Sequence, residues 1–258
     1  MMRTLVKKSK TAAKIMRTSA YYFGYKAITH PSTAHRFAKA LSDTILDFDQ
    51  PSTLQLPPVS LHQFCPGIET LELNMTVRFP KSYELPLYET FCISAIIHWL
   101  KPALAFEMGT HRGRTTQVIG EQTPTATRIY TLNLSPERIF EGQYVDGAYP
   151  HCIGEEFRSR EIGSKITQLF GNSRTFDFSP FYGKADFIFI DGDHRYEGVA
   201  SDTRNALLMV RPGGIILWDD YHAYEPGVVQ CLNELRATKM VCHLEGTRFA
   251  CYQSPGAK

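Results

Sequence analysis

Two acidic turns stand out among the residues that could do chemistry. Asp191-Gly192-Asp193-His194 follows the apolar run Phe187-Ile188-Phe189-Ile190, and Asp219-Asp220 follows a second apolar run 28 residues after Asp191. That interval holds one helix and its turns, so the two runs are expected to be parallel neighbouring strands about 4.8 Å apart, with the acids at their carboxyl ends. Four carboxylates in one crevice repel each other. A hard divalent cation held by their oxygens would resolve the conflict and leave coordination positions free for a substrate oxygen. Helix caps and surface turns are the competing use of such aspartates.

A glycine loop accompanies them. Glu107-Met108-Gly109-Thr110-His111-Arg112-Gly113 ends a predicted strand, and Arg114-Thr115-Thr116 opens a helix. Gly109 allows a sharp turn with room for a ligand, and Gly113 allows the helix to come close. The middle glycine of Gly-x-Gly-x-x-Gly is missing, which disfavours a nicotinamide-dependent Rossmann oxidoreductase.

The elements that must position these groups follow from hydrophobic patterning. Residues 103–107, 128–134, 166–170, 185–190 and 213–218 read as strands buried on both faces. Amphipathic helices are expected over 196–210 and 226–236, and a helix apolar around most of its circumference over 87–100, closed by Lys101-Pro102. Strands alternating with helices imply an α/β fold, a Rossmann-like doubly wound and mostly parallel sheet. Residues 239–244 and 248–252, joined by Glu245-Gly246-Thr247, form a hairpin signal and place one antiparallel strand near an edge. Residues 43–86 are Pro-rich without sustained period, and 141–163 are long for a connection and suit a lid. The expected organisation is a basic N-terminal extension and covering segment, 1–86, before a main domain, 87–258.

Composition narrows the class. The chain has 258 residues, 43% hydrophobic, and no apolar run of the roughly 18 residues a membrane helix needs. Six cysteines without paired spacing suit a reducing, cytoplasmic setting, and Cys242 and Cys251 are expected to face each other across the hairpin as thiols. The net charge of +2 conceals nine Lys/Arg and no acid in the first 42 residues. Such a leader reads as a basic helix flanking the domain, with peripheral contact to an anionic surface or a transit peptide as alternatives.

The strings Phe106–Gly113, Phe189–Val199 and Arg211–Tyr221 resemble class I S-adenosylmethionine-dependent methyltransferases, and most of all the metal-dependent small-molecule O-methyltransferases that include the macrocin-type sugar enzymes. The resemblance spans roughly residues 87 to 253. It implies a seven-stranded sheet with a reversed last strand, S-adenosyl-L-methionine as cofactor, and a divalent cation, magnesium first. Its cofactor residues fall on Glu107, Gly109, Thr110, His111, Gly113, Thr115 and Asp191. Asn133 and Asn172, beside Ser173, stand where relatives carry acids for the ribose and adenine. Metal ligands carry over to Asp191, Asp219 and Asp220, and the general base to Asp193, with His194 competing. The implied reaction methylates a hydroxyl of a small molecule, a sugar or glycosylated natural product among the candidates. No nucleic-acid partner is expected, and a homo-oligomer is open. A non-catalytic scaffold, its cofactor affinity weakened at Asn133 and Asn172, is the alternative. Trp218 and Tyr221 are expected either in the core or walling an acceptor pocket.

Overall fold

Strands with unbroken apolar runs need cover on both faces, and a computed structural model of the chain supplies it. Residues 53–78, 80, 84–136 and 152–256 are described. They belong to one unit, Ser52–Lys258; the other unit, Met1–Pro51, lies outside the described residues and takes the basic leader with it. The elements, in chain order, are β1 (Pro58–Val59), α1 (Leu61–Phe64), α2 (Leu87–Leu100), β2 (Leu104–Met108), α3 (Arg114–Gln122), β3 (Arg128–Asn133), α4 (Glu155–Arg158), β4 (Ile166–Phe170), β5 (Ala185–Ile190), α5 (Tyr196–Met209), β6 (Val210–Trp218), α6 (Pro226–Leu235), β7 (Cys242–Leu244) and β8 (Ala250–Gln253).

The strands form one sheet in the order β1-β7-β8-β6-β5-β2-β3-β4. All neighbours are parallel except β8, which runs antiparallel to both β6 and β7. The reversed strand therefore agrees with the hairpin expected from Glu245-Gly246-Thr247. The strand count differs from the seven the resemblance implied: Pro58–Val59 adds an eighth by pairing with His243 and Leu244. A two-residue strand beside two prolines carries no period to read, so only its tertiary pairing defines it.

Successive residues of each central strand serve opposite cores. On β5, Phe187 and Phe189 pack with α2 and α3 through Ile93, Ile96 and Ile119. Ile188 and Ile190 pack with α5 and α6 through Val199, Met209 and Leu232. At about 25 cal/mol per Å² of apolar surface removed from water, this double cover is the main term holding the sheet. Residues 54–73 join the same cores through Leu56, Cys65 and Ile68. Cys242 and Cys251 are direct partners across the hairpin and both are free thiols.

Of the segment expected as a lid, 141–151 lie outside the described residues. Residues 152–163 lie against the glycine loop: Gly154 N donates to His111 O (3.0 Å), Glu156 N to Arg112 O (3.0 Å), and Arg112 pairs with Glu155. Among the described residues no helix is long and apolar enough to cross a membrane.

Candidate active site

The parallel register brings the carboxyl ends of β2, β5 and β6 side by side. Asp191 N donates to Met108 O (2.8 Å) and Asp219 N to Ile190 O (3.0 Å), so the glycine loop and both acidic turns share one sheet edge. Open α/β sheets bind their ligands at this edge. Gly109 is required there by contact as well as by conformation: a Cβ on it would lie 1.7 Å from Asp191 O, and its φ is +106°.

Glu107 is buried beneath the loop. Thr116 Oγ1 and Thr131 Oγ1 (2.5 Å for the latter) both donate to its Oε2. Its Oε1, also buried, has no hydrogen-bond partner among the described residues. Burial pushes the Glu107 carboxyl up to about 8 against the two threonine bonds, and the charge of Asp191 adds to the rise. A carboxyl raised on folding contributes stability that is complete below its unfolded value and lost as pH climbs through the folded one. The ligand-free protein is therefore expected to lose stability between about pH 4.5 and pH 8, and Glu107→Gln to flatten that slope. Melting temperatures across this range for both proteins check it; parallel profiles would refute it.

Asn133 is engaged with the glycine loop. Its Oδ1 accepts from Thr110 N and His111 N (3.1 Å each), and its Nδ2 donates to Leu134 O (3.1 Å). The amide oxygen thus pins the glycine loop, while the amide nitrogen ties the side chain to the backbone that follows β3. Thr110 is buried with its hydroxyl 2.7 Å from that of Thr131, His111 takes a positive φ, and Thr115 lies in the first turn of α3. Gly113 lies against Phe157, whose ring a Cβ would meet at 2.6 Å. Asn172 Oδ1 closes a local turn by accepting from Arg174 N (3.0 Å), and the Ser173 carbonyl accepts from Asn205 Nδ2 (3.5 Å).

The acidic residues divide into two groups. Asp193 is held in the fork of Arg195 (2.7 and 2.8 Å) with Arg174 at 3.7 Å. Burial alone would raise its pKa, but the bonds and charge of Arg195 lower it on balance, so it stays an ionised carboxylate. In the other group, donor atoms of Asp191, His194 and Asp220 all lie within 4.8 Å of one another. His194 Nε2 is 3.6 Å from Asp191 Oδ1 and 3.3 Å from Asp220 Oδ2, while its Nδ1 is 3.5 Å from Glu225 Oε1. The facing Asp191 carboxylate raises the imidazole to about 10; burial opposes this, and the charges of Asp220 and Glu225 assist it.

Asp219 is turned elsewhere. Its Oδ1 accepts from Asp220 N (2.7 Å), and its Oδ2 lies 3.7 Å from Arg248. Burial, then the neighbouring charge of Asp220, raises its pKa, whereas Asp220 is lowered by His222, Arg248 and His194 despite its own burial. Arg248 also grips Glu89 of α2 (3.0 Å) and Asp220 (2.8 Å). Glu89, Asp219 and Asp220 therefore share a cation of their own in Arg248. Sequence reasoning passed over Arg248, Glu89, Glu225 and His222. A lone acid in the first turn of an otherwise apolar helix, as Glu89 is, was the available signal. Trp218 and Tyr221 belong to the core: Trp218 Nε1 donates to Thr203 Oγ1 (2.9 Å), and Tyr221 Oη accepts from Leu56 N (3.0 Å).

Residues 106–221, from the loop-bearing strand through both acidic turns, match the family described as methyltransferase domain. The matched stretch is similar to a methyltransferase domain. The domain's architecture recurs in solved structures. The SAH-bound methyltransferase PaMTH1 of Podospora anserina is 18% identical with a TM-score of 0.53, over 84% of this chain and 95% of that one. The O-methyltransferase TomG of Streptomyces achromogenes, involved in tomaymycin synthesis and solved with SAM, is 14% identical with a TM-score of 0.50, over 83% and 97%. Such identities speak for the fold. An uncharacterized protein of Acanthamoeba polyphaga mimivirus is 34% identical over 70 residues, 26% of this chain and 29% of that protein.

Proposed function

We propose that the methyltransferase domain moves the methyl group of S-adenosylmethionine to a hydroxyl of a small molecule, with a divalent cation held at the ends of β5 and β6. The observation that carries this reading is the shared edge, where Gly109 and Asp191 touch through their backbones and Asp220 follows on the next strand. The cofactor fits the chemistry left over there: Glu107 Oε1 is a buried oxygen without a partner among the described residues, on β2 beneath a loop whose shape is fixed from both sides by Asn133 and Gly154. TomG was solved with SAM and PaMTH1 with SAH, which supports the same choice.

Asp191 and Asp220 present oxygens suited to a cation, and a bound divalent ion supplies Lewis acidity toward the acceptor hydroxyl. The chain's own part is to hold the two reactants in line, an effect of up to about 7 to 11 kcal/mol in favourable cases. Asp191, His194 and Glu225 are each about one-third exposed (32, 35 and 33%), and the acceptor's proton leaves to solvent along this rim. The acceptor class, a sugar or glycosylated metabolite, comes from the sequence resemblance alone.

Calorimetric titration of the protein with S-adenosylhomocysteine tests the reading. Micromolar binding is expected, and its absence would leave the scaffold reading. That second reading draws on one observation, the commitment of Asn133 to the loop amides where relatives offer an acid to the ribose.

A further inference from the structure

We infer that the divalent-cation site is completed by His194, oriented from behind by Glu225, and that Asp219 is not a ligand. This rests on the methyltransferase reading above and specifies its metal centre. Three placements argue for it.

The first is how each carboxylate spends its oxygens. Asp220 Oδ1 faces Arg248 (2.8 Å) and His222 (3.2 Å), which leaves Oδ2 toward His194. Asp191 Oδ1 faces the same imidazole nitrogen. Asp219 has no comparable freedom, because its Oδ1 holds a backbone amide, its Oδ2 faces Arg248, and its side chain is 5% exposed. Turning it toward the cluster would break that bond inside the core and leave the amide unpaired.

The second is the support behind the histidine. Metal-ligating imidazoles characteristically offer their second nitrogen to a carboxylate, which selects the tautomer and fixes the ring. Glu225 stands in that relation, with Oε1 on the Nδ1 side while Nε2 faces the two aspartates. Asp220 has the equivalent support in Arg248. Both outer partners come from elements other than the one carrying the ligand they hold.

The third is a contact that makes the arrangement specific. Gly227, two residues beyond Glu225, lies so close to the backbone at the end of the first acidic turn that a Cβ would meet His194 O at 2.4 Å and Tyr196 N at 2.6 Å. The first turn of α6 is thereby seated on the His194 backbone, which sets the distance from Glu225 to the ring.

Two oxygens and one imidazole nitrogen make a borderline donor set. It favours ions such as manganese or iron(II) over magnesium and calcium, which prefer oxygen alone.

Manganese(II) binding to the full-length protein, read by electron paramagnetic resonance without cofactor, tests this. The bound spectrum is expected to carry spin-echo modulation from a directly coordinated imidazole nitrogen. His194→Ala should abolish the modulation and weaken binding about 100-fold, and Glu225→Gln should weaken it about 10-fold. Asp219→Asn should stay within about twofold of the parent, and magnesium should compete poorly. Manganese bound without nitrogen modulation, or an Asp219→Asn variant that loses the ion while His194→Ala keeps it, would overturn the assignment and leave the methyltransferase reading standing. No manganese binding in a protein that binds S-adenosylhomocysteine would overturn the cation site itself. Nitrogen modulation is read on the parent protein, so the result does not depend on any variant folding.

Discussion

Replacing Arg248 by Met is expected to lower the melting temperature by about 5 to 15 °C. The guanidinium stands among Glu89, Asp219 and Asp220, which are 3, 6 and 8% exposed. It donates to both oxygens of Glu89 and to Asp220 Oδ1. Removing one partner from a buried ion pair typically costs about 3 to 5 kcal/mol, because the remaining charge is left uncompensated. The side chain of Arg248 is 37% exposed, so water can replace part of its effect, and about 2 to 4 kcal/mol is the appropriate range. For a unit of this size each kcal/mol moves the midpoint by about 2 to 4 °C. Arg248→Lys should recover only part of the loss, since one ammonium cannot bridge three carboxylates as a planar fork does. Thermal unfolding followed by circular dichroism measures both variants. A Met variant that melts with the parent would mean that these acids are stabilised by something other than Arg248.

Gly109→Ala is expected to abolish cofactor binding, with affinity for S-adenosylhomocysteine falling at least about 100-fold. The added Cβ would stand 1.7 Å from a backbone oxygen of Asp191, and neither side can yield cheaply. Asp191 N is bonded to Met108 O and Gly109 N to Leu132 O, so relief requires parting the β2 end from β5 or β3. Overlap and the positive φ together place the cost above about 4 kcal/mol, among the largest single-residue effects. Gly67 is the matched control: its φ is +85°, but no described residue lies within 4 Å of its Cβ position. Gly67→Ala should then show only the conformational penalty of about 1 to 2 kcal/mol, with cofactor binding intact. Calorimetry on both variants separates the contact from the backbone preference. Equal binding by the two would sink the claim that the edge of the sheet sets the site.

Both predictions concern groups held by distant partners, and the metal assignment has the same character. Asp219 and Asp220 are adjacent in sequence and nearly equal in burial, yet one side chain faces the core and the other the cluster. The difference lies in Asp220's left-handed backbone, φ 60°, together with the Arg248 and His222 that hold it. Asp193 and His194 diverge in a similar way, one toward Arg195 and the other toward Asp191 and Asp220.

What the sequence determined by itself was the frame: the five parallel strands that carry the site edge, the apolar helix over 87–100, the reversed strand behind the Gly246 turn, and the placing of a glycine loop and two acidic turns at strand ends. These are properties of short windows, since periodicity and turn chemistry depend on neighbours within a few residues. Only the tertiary structure decided how the charges balance. Glu89 and Arg248 are 159 residues apart, and Gln55 and Leu56 reach Tyr221 across 166 and 165. A sequence pattern says which face of an element is buried, but it does not name the side chain opposite. The energy of a buried carboxylate depends on that partner, because in a low-dielectric interior one well-placed cation or amide reverses the sign of its contribution.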